Sequence, residues 1–280
     1  MAETNQLTRS PVTTPAVSPV TLLRIVLLVA IVAIWEAVAA SGLLFRDVVP
    51  SLFIIGQALV KILTKVDYQW QIDLALGPVR LAFDIWLPEF YRHLWVTVSE
   101  ITTALVIGGL AGLAVGLALG ANPFLSRAFE HLLYYLGPTP KIIFFPIMIM
   151  WFGVGPGSKV AMGTISCFFP IVLSAAAGMR QIESVLIRVG WSFRANTWQM
   201  VSKIYLPAMR APIVNGVRLG LGVAVIGTLL AETKLSNRGV GFLIINAYST
   251  FDMPRMYALL IVLFVVAIGA NALVARASRG

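Results

Sequence analysis

The chain has 280 residues, of which 59% are hydrophobic and only 12% are charged. A soluble domain of ordinary composition carries about 25% charged residues, and half that share cannot cover a water-facing surface of this size. The apolar residues are gathered in blocks of about 20 residues, which is the length of a transmembrane helix. The composition therefore excludes an ordinary soluble protein and predicts an all-α integral membrane protein.

The net charge of +9 would point to nucleic acid in a soluble protein. Here the basic residues lie mainly between the apolar blocks, where they can meet lipid headgroups or a partner protein. We therefore expect no nucleic-acid partner. The single cysteine, Cys167, cannot form an intrachain disulfide. No cluster of residues has the spacing of a metal site, so we expect no metal and no cofactor on this chain.

Six apolar segments are long enough to span a bilayer. They cover residues 22–45, 94–120, 128–152, 157–178, 211–231 and 257–275. Between the first two, residues 52–64 are too short to span and have the pattern of an amphipathic helix on the membrane surface. The third segment contains Gly137-Pro138-Thr139-Pro140, so we expect it to be kinked or broken.

These segments predict one transmembrane permease-like domain at residues 21–275, with tails at 1–20 and 276–280. Within it, residues 46–91 are expected to be extracytoplasmic or interfacial. Four glycines occur at intervals of four in the second span: Gly108, Gly112, Gly116 and Gly120. This spacing places them on one helix face, where small residues let another helix approach closely. The neighbouring helix could belong to the same subunit or to a second one.

The polar, basic stretch at residues 179–210 lies between the fourth and fifth spans. Five apolar residues recur there at helical spacings and could form one face: Val189, Phe193, Trp198, Val201 and Ile204. Two interpretations are open. The stretch is either an amphipathic helix that touches headgroups or a docking element for a soluble partner. Trp198 is the best single anchor for docking, because buried aromatic residues tend to dominate interfaces.

This stretch resembles the cytoplasmic EAA loop of bacterial ABC importer permeases. The resemblance rests on Ala195-Asn196-Thr197-Trp198-Gln199 and on the ending Ile204-Tyr205-Leu206-Pro207-Ala208. Counting back from that ending, Arg188-Val189-Gly190 occupy the positions of the family's Glu-Ala-Ala triplet. Arg194 occupies the position where the family has a glycine. Because arginine strongly prefers a negative φ, we expect a more continuous helix here, or a turn moved back to Gly190.

Other strings follow in the order of the same family. They are Val49-Pro50-Ser51, Gly137-Pro138-Thr139-Pro140, Trp151-Phe152-Gly153-Val154-Gly155, Phe168-Phe169-Pro170 and Arg238-Gly239-Val240-Gly241-Phe242-Leu243-Ile244. Together they resemble the branch that includes nitrate, taurine and aliphatic sulfonate permeases, although residues 66–90 are longer than usual for it. The resemblance implies a type I ABC importer permease of about six transmembrane helices in the bacterial cytoplasmic (inner) membrane. Both termini and the 179–210 coupling loop are then cytoplasmic.

The chain has no G-x-x-x-x-G-K-[ST] phosphate loop, so we expect it not to be an enzyme. The resemblance implies two ABC ATPase subunits that bind ATP and Mg, a second permease subunit that is identical or a sister chain, an extracytoplasmic solute-binding protein, and membrane lipid. It also implies a small solute, an anion such as nitrate, taurine or another sulfonate. The alternative is a secondary transporter or channel without an ATPase, whose expected mark is an inverted repeat with broken helices in both halves.

The resemblance assigns nine residues to contact with the ATPase: Arg188, Val189, Gly190, Phe193, Arg194, Ala195, Trp198, Leu206 and Pro207. Eight further residues are candidates for lining the translocation path: Thr139, Pro140, Lys141, Met148, Phe168, Phe169, Arg218 and Glu232. Charges inside a bilayer are costly and suggest function. Lys141 could attract an anion or pair with a carboxylate, Arg218 could lie at a gate or the cytoplasmic end, and Glu232 could shape the extracytoplasmic entrance beside Asn237. For Glu36 and Glu100, snorkelling or a helix-to-helix hydrogen bond is favoured.

Overall fold

The computed structural model of the chain describes residues 19–42, 48–66, 68–76, 79–234 and 236–277. The predicted tails at 1–20 and 276–280 therefore lie largely outside the described residues. Contacts divide the chain into two units, Met1–Ile54 and Ile55–Gly280. Each unit is described by itself below.

The described residues are mainly helical. The α-helices are α1 (Pro19–Ser41), α2 (Leu52–Thr64), α3 (Glu89–Ala121), α4 (Pro123–Leu136), α5 (Phe145–Phe152), α6 (Pro156–Arg180), α7 (Ser184–Ser192), α8 (Thr197–Met200), α9 (Leu206–Ala208), α10 (Arg210–Lys234), α11 (Val240–Ser249) and α12 (Met253–Ala277). A 3₁₀ turn at Lys141–Phe144 precedes α5, and a π turn at Val201–Tyr205 joins α8 to α9. Two strands, β1 (Tyr68–Leu76) and β2 (Val79–Leu87), lie between α2 and α3.

Five helices are long and apolar enough to cross a membrane, namely α1, α3, α6, α10 and α12. A sixth segment consists of α4 and of the 3₁₀ turn with α5, and it is bent by 94°. The bend lies at Gly137–Pro140, where two prolines lack the amide hydrogen that a continuous helix needs. The predicted helical membrane fold, with a break in the third span, is confirmed.

Within the first unit, α1 ends beside the start of α2. The Glu36 carboxylate accepts a hydrogen bond from the Leu52 amide at 2.7 Å. The indole Nε1 of Trp35 donates to the carbonyl oxygen of Pro50 at 3.1 Å. A carboxylate at a helix N-terminus satisfies a free amide and meets the positive end of the helix dipole. The helix-to-helix hydrogen bond favoured for Glu36 is therefore present.

The strands form an antiparallel hairpin that the sequence analysis did not predict. Tyr68 lies opposite Leu87, and Leu76 lies opposite Val79. The hairpin occupies the stretch that is longer than usual for the nitrate and sulfonate branch. It leads through Pro88 directly into α3, so it lies at one end of a membrane span.

The glycine stripe of α3 packs against α6 of the same chain. A Cβ at Gly116 would overlap the Cβ of Ala175 and would lie 2.7 Å from the carbonyl oxygen of Val172. A Cβ at Gly112 would lie 3.0 Å from the carbonyl oxygen of Phe168. Such distances leave no room for a side chain. The predicted close packing therefore occurs within the subunit, between α3 and α6.

Helix α10 also approaches α6 through glycines. A Cβ at Gly220 would lie 2.8 Å from Cδ1 of Ile171, and one at Gly227 would overlap the hydroxyl of Ser166. Because α10 has no side chain at these two positions, Ile171 and Ser166 of α6 pack directly against its backbone. Helices α3, α6 and α10 thus form a tightly packed core.

Candidate coupling segment and solute cavity

Residues 184–208, called the 184–208 segment below, fold into a helical hairpin between α6 and α10. Its first limb is α7, and its second limb runs through α8, the π turn and α9. The second limb begins with a capping box: the Asn196 side chain accepts from the Gln199 amide at 2.8 Å, and the Gln199 side chain accepts from the Asn196 amide at 2.9 Å. Two amides without helical partners are satisfied in this way, which fixes where the second limb starts.

The turn between the limbs is centred on Arg194, whose φ is 53°. The expectation of a continuous helix, or of a turn at Gly190, is therefore wrong. The Arg194 amide donates to the carbonyl of Trp191 at 2.9 Å, and the Ala195 amide donates to that of Gly190 at 3.0 Å. This pair of bonds is a Schellman motif. It holds arginine in a left-handed conformation that costs a non-glycine residue about 1–2 kcal/mol.

Gly190 has a different role from the one its sequence position suggested. It is buried within α7, and a Cβ there would overlap Sδ of Met200 and Cδ1 of Ile204. The missing side chain lets the second limb pack directly on the first. Together with the Schellman motif and the capping box, this contact makes the hairpin a rigid unit.

Large apolar side chains are exposed on this hairpin. Phe193 is 83% exposed, Trp198 is 74% exposed and Val189 is also exposed, whereas Val201 and Ile204 are half-buried against the other limb. The five residues predicted to share one face therefore divide into an exposed group and an inward group. Trp191, which the sequence analysis did not single out, is also exposed. It lies two residues before Phe193 in the same stretch, and this proximity is the sequence signal that could have found it.

The remaining predicted contact residues surround this surface. Arg188 is exposed and donates to the Ser184 hydroxyl at 3.4 Å. Ala195 is half-buried in the turn, and Leu206 and Pro207 lie in α9 at the base of the second limb. The structure thus brings all nine residues onto one hairpin, although it buries Gly190 away from any partner.

A cavity of about 530 Å³ lies between the broken third span, α6 and α10. Residues that line it include Tyr134, Pro140, Lys141, Ser166, Phe169 and Gly227. Its wall is largely apolar. The cavity lies where the prolines interrupt the third span, as expected if irregular backbone within a membrane must face protein or a cavity.

Lys141 places a cation at this wall. Its ammonium donates to the carbonyl oxygen of Gly137 and, at 3.2 Å, to that of Leu136. It also lies 5.0 Å from the centre of the Phe169 ring, a cation–π distance. The last carbonyls of α4 have no helical partner, so the ammonium caps that helix and meets the negative end of its dipole. In the described part of the chain, Lys141 thus contacts carbonyls and not the carboxylate that was considered.

Only part of the predicted path set reaches the cavity: Pro140, Lys141 and Phe169 line it. The Thr139 hydroxyl instead donates to the Tyr135 carbonyl at 3.1 Å. Met148 is buried in a cluster with Met162. Phe168 packs against a separate cluster that contains Val172. Sequence reasoning missed Tyr134 and Ser166, because a cavity between helices gives no local sequence signal.

Arg218 lies outside the cavity, on the exposed surface of α10. Its Nε donates to Oδ1 of Asn271 in α12 at 3.1 Å. This hydrogen bond ties two membrane-spanning helices together. The structure therefore gives Arg218 a helix-pairing contact, and its expected role at a gate stays a prediction.

Glu232 does not line the cavity either, because it is completely buried. Its carboxylate accepts from the Thr97 hydroxyl at 2.7 Å and from the Gly241 amide at 2.6 Å, while Thr97 accepts from the Val240 amide at 2.8 Å. Gly239, with φ of 104°, has no room for a Cβ beside this carboxylate. Glu232 thus anchors the start of α11 to α3, and its expected part in shaping the entrance stays a prediction.

A buried ion pair lies near this network. Nζ of Lys159 in α6 is 3.4 Å from Oε1 of Glu100 in α3, and the two side chains are 5% and 3% exposed. Intramembrane charges usually occur in such pairs. The helix-to-helix hydrogen bond favoured for Glu100 is therefore present, and its partner in α6 is a charged lysine.

Comparisons with known proteins agree with this geometry. Residues 104–280 match the family described as binding-protein-dependent transport system inner membrane component. The chain is 28% identical over 253 residues to the taurine transport system permease protein TauC of Escherichia coli K12, covering 89% of this chain and 86% of TauC. It is 29% identical over 178 residues to the putative aliphatic sulfonates transport permease protein SsuC of Bacillus subtilis, covering 64% of each.

Two further proteins extend the comparison. The nitrate import permease protein NrtB of Synechococcus elongatus is 21% identical over 201 residues, covering 64% of this chain and 72% of NrtB. The fold is similar to a solved inward-facing structure of the MetNI methionine ABC transporter, with a TM-score of 0.61 and 20% identity over 68% of this chain and 94% of that chain. The expected type I importer permease fold is thereby confirmed. This chain belongs to the family of binding-protein-dependent transport system inner membrane components, as a multi-pass permease subunit that is not itself an enzyme.

Proposed function

We propose that the 184–208 segment docks on an ABC ATPase subunit and that the cavity beside the broken third span is part of the path of a small anionic solute. The observation that carries the docking proposal is the exposure of Phe193 and Trp198 on a hairpin that is fixed at both ends of its turn. The solute proposal rests on the cation at the cavity wall and on the named cargoes of the relatives.

Rigidity favours docking on a protein over contact with headgroups. An interface gains most when an aromatic anchor loses little conformational freedom on binding. The capping box at Asn196 and the Schellman motif at Arg194 fix the backbone that carries Trp198 and Phe193 before any partner arrives. An amphipathic helix that only floats at the headgroup level has no need of such fixed geometry.

Docking on an ATPase sets the orientation of the whole chain. The 184–208 segment and, with six spans, both termini would be cytoplasmic. The ATPase subunits would bind ATP and Mg, a second permease subunit would complete the path, and an extracytoplasmic binding protein would deliver the solute. ATP binding would favour one of two arrangements of the membrane helices, because a ligand shifts an equilibrium through its different affinity for the two states.

The solute would be a small anion. Within the described residues, the cavity is lined by one cation, Lys141, and by no carboxylate. A cavity whose wall carries one cation and is otherwise apolar favours a small anion. Nitrate and aliphatic sulfonates, the cargoes named for NrtB and SsuC, are anions, and taurine, the cargo named for TauC, carries a sulfonate group beside its ammonium group.

Copurification tests the docking proposal. The permease is coexpressed with an ABC ATPase from its own gene neighbourhood, and the amount of ATPase retained is measured. Trp198→Ala should abolish retention, whereas Trp151→Ala in α5, which removes another exposed tryptophan, should retain as much ATPase as the unchanged chain. Equal retention by both variants, or no retained ATPase in any state, would contradict the proposal.

A further inference from the structure

We propose that the ion pair between Glu130 and Arg180 transmits movement of the 184–208 segment to the wall of the cavity. The inference rests on the proposed function, because it assumes that an ATPase moves that segment. It assigns a positioning role to two residues that lie in neither the docking surface nor the cavity wall.

The ion pair joins α4 to the end of α6. Arg180 is the last residue of α6, and the first limb of the 184–208 segment begins at Ser184. The guanidinium contacts both oxygens of the Glu130 carboxylate at 2.8 Å, and the Ser126 hydroxyl donates to one of them at 2.6 Å. A bidentate arginine–carboxylate contact fixes orientation as well as distance. A displacement of the end of α6 would therefore displace Glu130 with it.

Movement of the 184–208 segment reaches Arg180 through packing at its base. Ile182, just before the first limb, and Tyr205, at the end of the π turn, pack against buried Met179 and Met209. Met179 directly precedes Arg180 in the chain. The base of the 184–208 segment and the end of α6 are thus in van der Waals contact, and dense packing transmits displacement.

Regular helical structure is interrupted at both ends of α4, at Asn122 before its first residue and at Gly137 after its last. Helix α4 can therefore turn about its N-terminal end. Asn122 links α3 to α4 with an extended backbone, φ −121° and ψ 109°, and its side chain caps α4 by accepting from the Phe124 amide at 2.9 Å. The far end is the break at Gly137. This arrangement leaves α4 as a short rigid rod between two interruptions, where a change of direction needs few dihedral changes.

The cavity lies farther along this rod than the ion pair. With a rise of 1.5 Å per residue, Glu130 is roughly 12 Å from Asn122, and Tyr134, which lines the cavity, is about 18 Å from it. A displacement at Glu130 is therefore larger by about half at Tyr134. Lys141, which caps α4, would move with the end of this helix.

Apolar contacts alone would transmit such movement less directly. Leu125 and Leu133 of α4 pack against the cluster of Leu119, Val172 and Ala176, and packed helices slide past one another in small shear steps. A bidentate ion pair adds a contact of fixed direction between the two helices. Since Arg180 is 43% exposed and Glu130 is 16% exposed, the pair adds little to stability, and its loss should leave the fold intact.

The test uses the permease–ATPase complex and a fluorophore whose emission reports its surroundings. The label is attached at Tyr134→Cys on the cavity wall or, in a second preparation, at the exposed position Val185→Cys in α7; Cys167 is buried and stays unlabelled. The probe is a nonhydrolysable ATP analogue with Mg. Each labelled chain is combined with Glu130→Gln, Arg180→Gln, the exchange Glu130→Arg with Arg180→Glu, or Arg127→Gln as a control on the same helix.

We expect ATP-dependent signals at both positions in the otherwise unchanged complex and in the Arg127→Gln control. The signal at position 134 should fall to background in Glu130→Gln and Arg180→Gln, while the signal at position 185 persists, and the charge exchange should restore it. A persistent signal at position 134 in either single variant, or no recovery in the exchange, overturns the inference and leaves the proposed function standing. Absence of any signal at position 185 in the unchanged complex overturns both.

Discussion

Replacing Gly116 by alanine tests whether glycines set the distance between α3 and α6. The new Cβ would overlap the Cβ of Ala175 and lie 2.7 Å from the carbonyl oxygen of Val172. The Val172 oxygen is a backbone atom and the Ala175 Cβ is bonded directly to the backbone, so no change of side-chain rotamer relieves either contact. The two helices must therefore move apart, and their other contacts must weaken.

The size of the effect follows from two opposing contributions. Overpacking a dense interface costs about 1–3 kcal/mol, and alanine gains up to about 1 kcal/mol over glycine in helix propensity. Gly109→Ala is the matched control, because its Cβ would meet Cδ1 of Ile171 at 3.8 Å, an ordinary contact. Both variants share the propensity gain, so the difference between them isolates the close contact and should be about 1–3 kcal/mol.

The single cysteine supplies the assay. Cys167 is fully buried in the same interface, so a thiol-reactive fluorogenic dye reports the exposure of this interface on heating. Gly116→Ala should melt at a lower temperature than Gly109→Ala, by on the order of 2–4 °C for each kcal/mol. Equal melting temperatures, or a higher one for Gly116→Ala, would refute the packing argument.

Three other substitutions test the remaining features. Glu232→Ala leaves the Gly241 amide and the Thr97 hydroxyl without their acceptor, so we expect a loss of about 1–3 kcal/mol of stability for each unsatisfied donor in the same melting assay; an unchanged melting temperature would contradict the anchoring role. Arg194→Gly places glycine at a left-handed backbone position, so the purified permease should gain up to about 1 kcal/mol of stability. A lower melting temperature would contradict this expectation and would indicate that the arginine side chain contributes to stability. Lys141→Met keeps the apolar stem and removes the charge, so vesicles containing the assembled complex should need a roughly tenfold higher concentration of the proposed anionic solute for half-maximal uptake; unchanged half-saturation would argue against an anion beside Lys141.

The features that the sequence predicted are local ones. Apolar blocks give the spans, because a helix satisfies its backbone groups within itself. The Gly-Pro-Thr-Pro string predicted the break, because proline lacks an amide hydrogen. The four-residue interval of glycines predicted close packing from helix geometry alone. It could not name α6 as the neighbour, since that choice depends on how distant segments meet.

The features that the sequence did not predict depend on contacts between distant residues. Lys159 pairs with Glu100 across 59 positions, and Thr97 bonds Glu232 across 135. No spacing rule covers such distances. At Arg194 the intrinsic preference for negative φ indicated a helix, yet two Schellman hydrogen bonds and the cap at Asn196 imposed the left-handed turn. Tertiary and capping contacts overcame a preference of about 1–2 kcal/mol there.

The distribution of contacts indicates which part of the cavity wall can move. On two sides the wall is formed by α6 and α10, which glycines bring into close contact. Helix α3 is joined to α6 by its glycine stripe and by the buried pair of Glu100 and Lys159. Separating these three helices would open voids and leave buried charges without partners, both of which are costly.

On the third side of the wall, α4 has no comparable restraint. It meets the core through one half-exposed ion pair and a modest apolar contact, and it lies between interruptions at Asn122 and Gly137. Helix α5, in contrast, packs in a buried cluster with Met162 and Ala231. A change in cavity shape therefore costs least if α4 moves while α3, α5, α6 and α10 stay together. Because α6 carries the 184–208 segment at its end, the rigid core and the mobile wall meet at Arg180.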